Sequence, residues 1–292
     1  MLVILFSLLS AFAFAFHAIF IKIGLKDSDP LSGTLISSII NVGFLWILTL
    51  LFVPLEAFIK PGLIYLVIGG LLAPSLARVF LYTGFEKVGV SVTAPIRTTF
   101  PIISSVLAIL FLDEPLTVPI GAAIVFTVLG TALLSLSSSG IRLETQLQWK
   151  KTDLLFPLTA AVFYGVSHFI RKIGMATVPS GIAAATVVTT VSLAFYLLSL
   201  PLIKQKRTMA MGKRSVLYFS LGGIAGSFGQ MFILSALRLG RVSIVTPIAG
   251  ITPIFILVMT YLFFRKTERI DLRVVAGVLS IVLGVVLLSI MV

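Results

Sequence analysis

The chain has 292 residues, 59% hydrophobic and 11% charged, with a mean hydropathy of +1.18; soluble domains carry about 25% charged residues, so an ordinary soluble domain is excluded. Cysteine is absent and histidine occurs twice, which removes disulfide frameworks, thiolate metal sites, cysteine nucleophiles and histidine-built metal cages. The net charge of +12 is scattered between apolar runs, which speaks for membrane topology and not for nucleic acid.

A helix crosses the hydrocarbon core with about 20 apolar residues. Ten such windows follow one another, at 2–23, 31–53, 62–85, 90–112, 118–138, 153–172, 180–203, 214–237, 242–264 and 271–291. Polar breaks separate them, at Lys26 to Pro30, Pro54 to Pro61, Asp113 to Pro115, Lys150 to Asp153, Lys204 to Lys213 and Arg265 to Asp271. The first window has its positive residues, Lys22 and Lys26, after its apolar core, the reverse of a secretory signal, so it is predicted to be a retained membrane helix. The windows are continuous and do not alternate with period two, which excludes a β-barrel. The expected fold class is an all-α membrane protein.

The chain also repeats itself. Lys22-Ile23-Gly24 returns as Lys172-Ile173-Gly174, with Phe14 matched by Tyr164; Val90-Ser91, Pro95-Ile96 and Pro101 return as Val242-Ser243, Pro247-Ile248 and Pro253. Glu114 is answered by Glu268, and Leu129-Gly130 to Leu134-Ser135 by Leu283-Gly284 to Leu288-Ser289. The division is a first five-helix repeat over 1–139, a connecting loop over 140–152 and a second repeat over 153–292. Five is odd, so the second copy enters the membrane in the opposite sense. Ten transmembrane helices as two inverted five-helix repeats place a transporter's substrate site near the midplane, between the halves.

These residues carry a family resemblance. Val90 to Arg97 running on to Pro101, the Phe111-Leu112-Asp113-Glu114-Pro115-Leu116-Thr117 turn, Gly121 to Ser135, and in the second copy Val242 to Pro253 and Glu268-Arg269-Ile270 resemble the drug/metabolite transporter superfamily, in its ten-helix group with two EamA repeats. The resemblance implies a transporter and leaves the substrate open. The short four-helix relatives keep a glutamate in their first helix for cationic drugs and protons; this first helix offers Phe12, Phe14, Phe16 and His17 instead, which disfavours a drug-cation antiporter.

All ten acidic residues fall at or near predicted helix ends, which weakens any scheme with a buried carboxylate as ion carrier. Glu114 and Glu268 each precede a predicted span, where a carboxylate suits the helix dipole, with direct substrate contact as the other reading. Arg78 and Arg97 lie about 10 Å inside the third and fourth spans at 1.5 Å per residue, and His17 lies at similar depth. The arginines either snorkel to the headgroups or form a basic pocket for a carboxylate or phosphate; His17 either is satisfied within the packing or joins them. The second repeat sets Gln230 opposite Arg78 and Gly250 near Arg97, so the positive pocket is not duplicated.

Phe12, Phe16 and Phe20 recur every four residues, and Trp46, Tyr82, Tyr164 and His168 also fall inside spans. Such aromatics either pack or line a cavity for a partly apolar solute. The candidate substrate-binding set is Arg78, Arg97, His17, Phe16, Tyr82, Tyr164, His168 and Gln230. Asn41 is expected to hydrogen-bond another helix. Pro95, Pro101, Pro247 and Pro253 are tolerated kinks or, being symmetry-related, hinges, while Gly69-Gly70 and Gly222-Gly223 serve close packing.

Loops after odd-numbered spans hold fifteen Lys and Arg, and the other face five, Arg171 and Lys172 among them. The positive-inside rule then puts both termini outside a cytoplasmic (inner) membrane and the mouth near His17, Arg78 and Arg97 inside. The expected function is a secondary transporter of small organic metabolites, by resemblance amino acids first, in efflux, working by alternating access. The alternatives are a lipid, lipid-linked-sugar or nucleotide-sugar translocator of the same fold and, with no clustered catalytic groups, a membrane-embedded enzyme. No catalytic residue, metal or cofactor is expected. The expected partners are a small-molecule substrate carrying a carboxylate or other anionic group and the lipid bilayer, with no nucleic acid, in a monomer or homodimer.

Overall fold

The computed structural model describes residues 1–138, 150–202, 212–263 and 272–290. The described elements are helical, and ten spans emerge. The first two are α1 (Leu2–Gly24) and α2 (Pro30–Phe52); the third is two helices, α3 (Leu63–Gly70) and α4 (Ala77–Val88), around a break at Leu71–Leu76. The fourth is α5 (Val90–Arg97) and α6 (Phe100–Phe111), and the fifth α7 (Val118–Ser138). The second half gives α8 (Leu155–Met175), α9 (Gly181–Ser199), α10 (Lys213–Leu239), the pair α11 (Val242–Ala249) and α12 (Thr252–Phe263), and α13 (Leu272–Ile290). Nine of these stretches are long and apolar enough to cross a membrane by length and composition, and α7 adds a shorter apolar stretch, Val118–Leu134.

The ends follow from local chemistry. Asp29 caps α2 by accepting from Leu31 N and Ser32 N at 3.0 and 3.1 Å, with Pro30 supplying a first residue that needs no donor. Ser180 Oγ accepts from Ala183 N at the start of α9. The windows at 62–85, 90–112 and 242–264 are each two helices and not one. Pro74 and the extended backbone at Ala73 (φ −144°, ψ 137°) interrupt the third. The fourth breaks at Thr98-Thr99, between Pro95 and Pro101, and the ninth at Gly250-Ile251, between Pro247 and Pro253. Each proline pair brackets its break because a proline withdraws a donor from the turn before it.

The helices pack as the inverted repeat requires. α1 lies along α10, and its repeat equivalent α8 lies along α3 and α4; α2 meets α9, and α7 meets α13. In lipid such contacts depend on close van der Waals fit rather than on apolar burial. A Cβ at Gly24 would stand 2.5 Å from the buried Phe219 ring, and one at Gly130 would stand 2.6 Å from Gly277 O. A Cβ at Gly284 would stand 2.3 Å from Thr127 Oγ1. Gly130→Leu is therefore expected to force α7 and α13 apart at a cost of about 1–3 kcal/mol, read as a lower thermal unfolding midpoint in detergent. An unchanged midpoint would show that this crossing carries no strain.

One pair breaks the symmetry. α6 packs against α11 near the face that carries the termini, whereas their repeat equivalents, α12 and α5, pack on other helices: α12 on α1 and α7, α5 on α4, α7 and α8. Among the described residues, the fourth and ninth spans thus touch toward the terminal face and pack less closely toward the opposite one.

Candidate functional site

A cavity lies between the halves. Phe14 and His17 come from α1, Ser37, Ser38 and Asn41 from α2, Pro74 from the third-span break and Arg78 from α4; the second repeat adds Thr189 and Ser192 of α9 with Gly226 and Gln230 of α10. Two amide side chains face it with buried oxygens that have no hydrogen-bond partner, Asn41 Oδ1 and Gln230 Oε1. A polar atom left so in the membrane interior is costly, and a solute that donates to it removes that cost. His17 Nδ1 lies 2.8 Å from Gly222 O. A carbonyl only accepts, so Nδ1 carries a proton and donates it to Gly222 O. Gly226 makes this arrangement possible, since a Cβ there would stand 3.2 Å from both His17 Nδ1 and Asn41 Nδ2.

Arg78 supplies the positive charge. It lies ten residues before the end of α4 at Val88, deeper than the 62–85 window implied, and its guanidinium sits over the Tyr196 ring, 5.5 Å from the centroid. Tyr196 Oη also donates to Pro74 O at 3.0 Å, so one residue braces both the break and the arginine.

Of the predicted set, His17, Arg78 and Gln230 line the cavity together. Gln230 and Arg78, repeat equivalents of each other, face the same space. The others do not line it. Arg97, at the end of α5, lies over the Tyr164 ring at 5.4 Å, and His168 stacks on Phe100 at 5.3 Å. These residues form a neighbouring cluster between the fourth and sixth spans. Phe16 lies in the ring series Phe12, Phe16, Phe20 and Tyr218; Phe14 takes the cavity position. Tyr82 is exposed and packs on Phe85. Asn41, expected to bond another helix through its side chain, faces the cavity instead.

Three charged residues sit elsewhere than the sequence suggested. Glu114 is buried and caps not its own span but α11 in the other repeat. Its carboxylate accepts from Val242 N at 2.7 Å, Ser243 N at 3.0 Å and Ser243 Oγ at 2.6 Å. Lys172 Nζ donates to Leu237 O and Gly240 O at 2.8 and 2.7 Å, at the C-terminal end of α10. The single turn joining α10 to α11 is therefore gripped from both sides, with each charge matched to the helix dipole it meets. Arg171, counted among loop charges, is instead 2% exposed, because α8 runs on to Met175. Glu268 lies outside the described residues. Among the described residues, Asp27, Asp29, Glu56, Glu86, Asp113, Glu114 and Asp153 all lie at helix ends or in loops, and no group of three or more His, Cys, Asp or Glu could hold a metal ion.

The cavity residues missed in the sequence were Phe14, Ser37, Ser38, Asn41, Pro74, Thr189, Ser192 and Gly226. The available signal was helical spacing: Phe14 and His17 are three apart and share a face, as do Ser37 and Asn41 at four.

The chain belongs to the EamA-like transporter family, whose profile matches residues 1–136 and again 151–290. It is 24% identical over 297 residues to an uncharacterized transporter of Archaeoglobus fulgidus, covering 99% of this chain and 98% of that one. It is 30% identical over 139 residues to an uncharacterized protein of Methanocaldococcus jannaschii, a stretch that is 48% of this chain and 97% of that protein. A solved crystal structure superposes with a TM-score of 0.78 over 99% of this chain and 96% of the other at 15% identity, which shows the same fold. The protein is thus a multi-pass membrane protein of the drug/metabolite transporter type, and the family points to a transporter rather than an enzyme.

Proposed function

We propose that this protein is a secondary transporter of small organic metabolites with a carboxylate, amino acids above all, exported across the cytoplasmic membrane by alternating access. The observation that carries the reading is the composition of the cavity: one cation, Arg78, with the buried amide oxygens of Asn41 and Gln230 unpaired beside it. A guanidinium suits a carboxylate and amide oxygens suit an ammonium, so an α-amino acid satisfies both. The positive-inside count puts the less closely packed side of the fourth and ninth spans in the cytoplasm, which would make this the state that loads an exported solute. The proline-bracketed breaks at Thr98-Thr99 and Gly250-Ile251 are the hinges of the exchange.

Counterflow tests the proposal. Proteoliposomes loaded with one unlabelled amino acid or organic acid are expected to accumulate the same labelled solute from outside. Failure with every carboxylated solute, in vesicles holding folded protein, would overturn the amino-acid reading and favour nucleotide-sugar or lipid-linked substrates.

A further inference from the structure

At the break in the third span, Leu71–Leu76, backbone carbonyls in the membrane interior accept from side chains. The second repeat supplies most of their donors. Ser167 Oγ donates to Gly69 O at 2.7 Å, Tyr196 Oη to Pro74 O at 3.0 Å, and Arg171 Nη2 to Gly69 O at 3.4 Å and to Ala73 O. Ser75 Oγ donates to Gly70 O at 2.8 Å from within the break. Arg171 is 2% exposed, and its Nε has no partner. Its room comes from Gly69: a Cβ there would stand 2.7 Å from Arg171 Cγ. The repeat equivalent of Arg171 is Ile21, so the cation is particular to this break.

The C-terminal end of a half-helix carries partial negative charge, and in broken-helix transporters such carbonyls hold the coupling Na⁺. Here α3 ends at Gly70 and a tethered guanidinium occupies that end. We propose that Arg171 is a built-in monovalent cation: it fills the carbonyl site at the third-span break and thereby fixes Pro74 and Arg78 at the cavity wall. The position an ion-coupled carrier would give to Na⁺ is taken by the chain itself. This holds whatever solute is transported.

The test is chemical rescue in detergent-purified protein, with thermal unfolding as readout. Arg171→Ala empties the site, and its midpoint is expected to fall by several degrees. Millimolar guanidinium chloride or methylguanidinium chloride should restore part of that loss saturably against choline chloride at matched ionic strength, as for a ligand that binds only the folded state. The unsubstituted protein should gain nothing. Partial rescue by NaCl as well would identify the site as one for small cations generally. An unchanged midpoint in Arg171→Ala, or a lowered one that guanidinium, methylguanidinium and sodium all fail to raise, would overturn the proposal. If Arg171→Ala does not fold, Arg171→Lys and Arg171→Met decide: the account expects the lysine variant to melt well above the methionine variant, and equal midpoints would contradict it.

Discussion

Replacement of Arg78 by alanine is expected to weaken substrate binding about 10- to 100-fold, the value of one charge-assisted contact in a desolvated site. Among the described residues, Arg78 is the one cation that lines the cavity. Arg78→Lys should lose less, because the ammonium keeps the charge and gives up only the planar fork. Arg97→Ala should change affinity less than Arg78→Ala, since Arg97 lies on Tyr164 outside the cavity lining. The measurement is the concentration dependence of counterflow for each variant in proteoliposomes. Arg238, exposed at the end of α10, is the control, and Arg238→Ala should leave the dependence unchanged. Equal apparent affinity in Arg78→Ala and the unsubstituted protein would remove Arg78 from the site.

Glu114→Ala is expected to cost about 3 kcal/mol, from the loss of charge-assisted hydrogen bonds to a helix N-terminus. Three donors, Val242 N, Ser243 N and Ser243 Oγ, lose their acceptor in a buried setting. The variant should therefore melt several degrees lower in detergent. Ser243→Ala removes one of the three and should cost less. Glu114 ties the loop after the fourth span to the start of α11, beside the contact of α6 with α11, where Ser104 Oγ and Thr246 Oγ1 lie 2.9 Å apart. Losing it should also release the terminal face, so a cysteine-specific reagent should reach a Thr246→Cys position faster in Glu114→Ala than in a Glu114-containing background. Unaltered stability together with unaltered accessibility would show that the cap holds nothing closed.

The sequence reached the architecture because its signals there are physical and strong. Runs of about 20 apolar residues have one low-energy fate in a bilayer, and an odd number of spans per repeat forces inversion. The paired prolines marked the breaks in the fourth and ninth spans. The break at Pro74 has no proline mate, since the equivalent position is Gly226, so comparison of the halves passed over it. The site was harder to read because hydropathy does not say which face of an apolar helix meets the cavity. Phe12, Phe16 and Phe20 form one stripe, and the cavity uses the other face, with Phe14 and His17. Arg171 and Lys172 show the limit most plainly: successive positions on a helix point about 100° apart, so one guanidinium enters the third-span break while its neighbour grips the turn after α10. The position of Glu114 before a span suits a helix dipole or substrate contact, but the helix it caps lies in the other repeat, a partner that only the packed structure supplies.

We propose that the transported solute occupies the cavity at His17, Asn41, Arg78 and Gln230. The chain has no cysteine, so Ser38→Cys places a single thiol in the cavity wall. In proteoliposomes of that variant, a charged methanethiosulfonate reagent is predicted to block counterflow, and the transported solute is predicted to slow the block. Complete modification of the thiol with undiminished counterflow, or a rate of modification indifferent to the solute, would contradict the account.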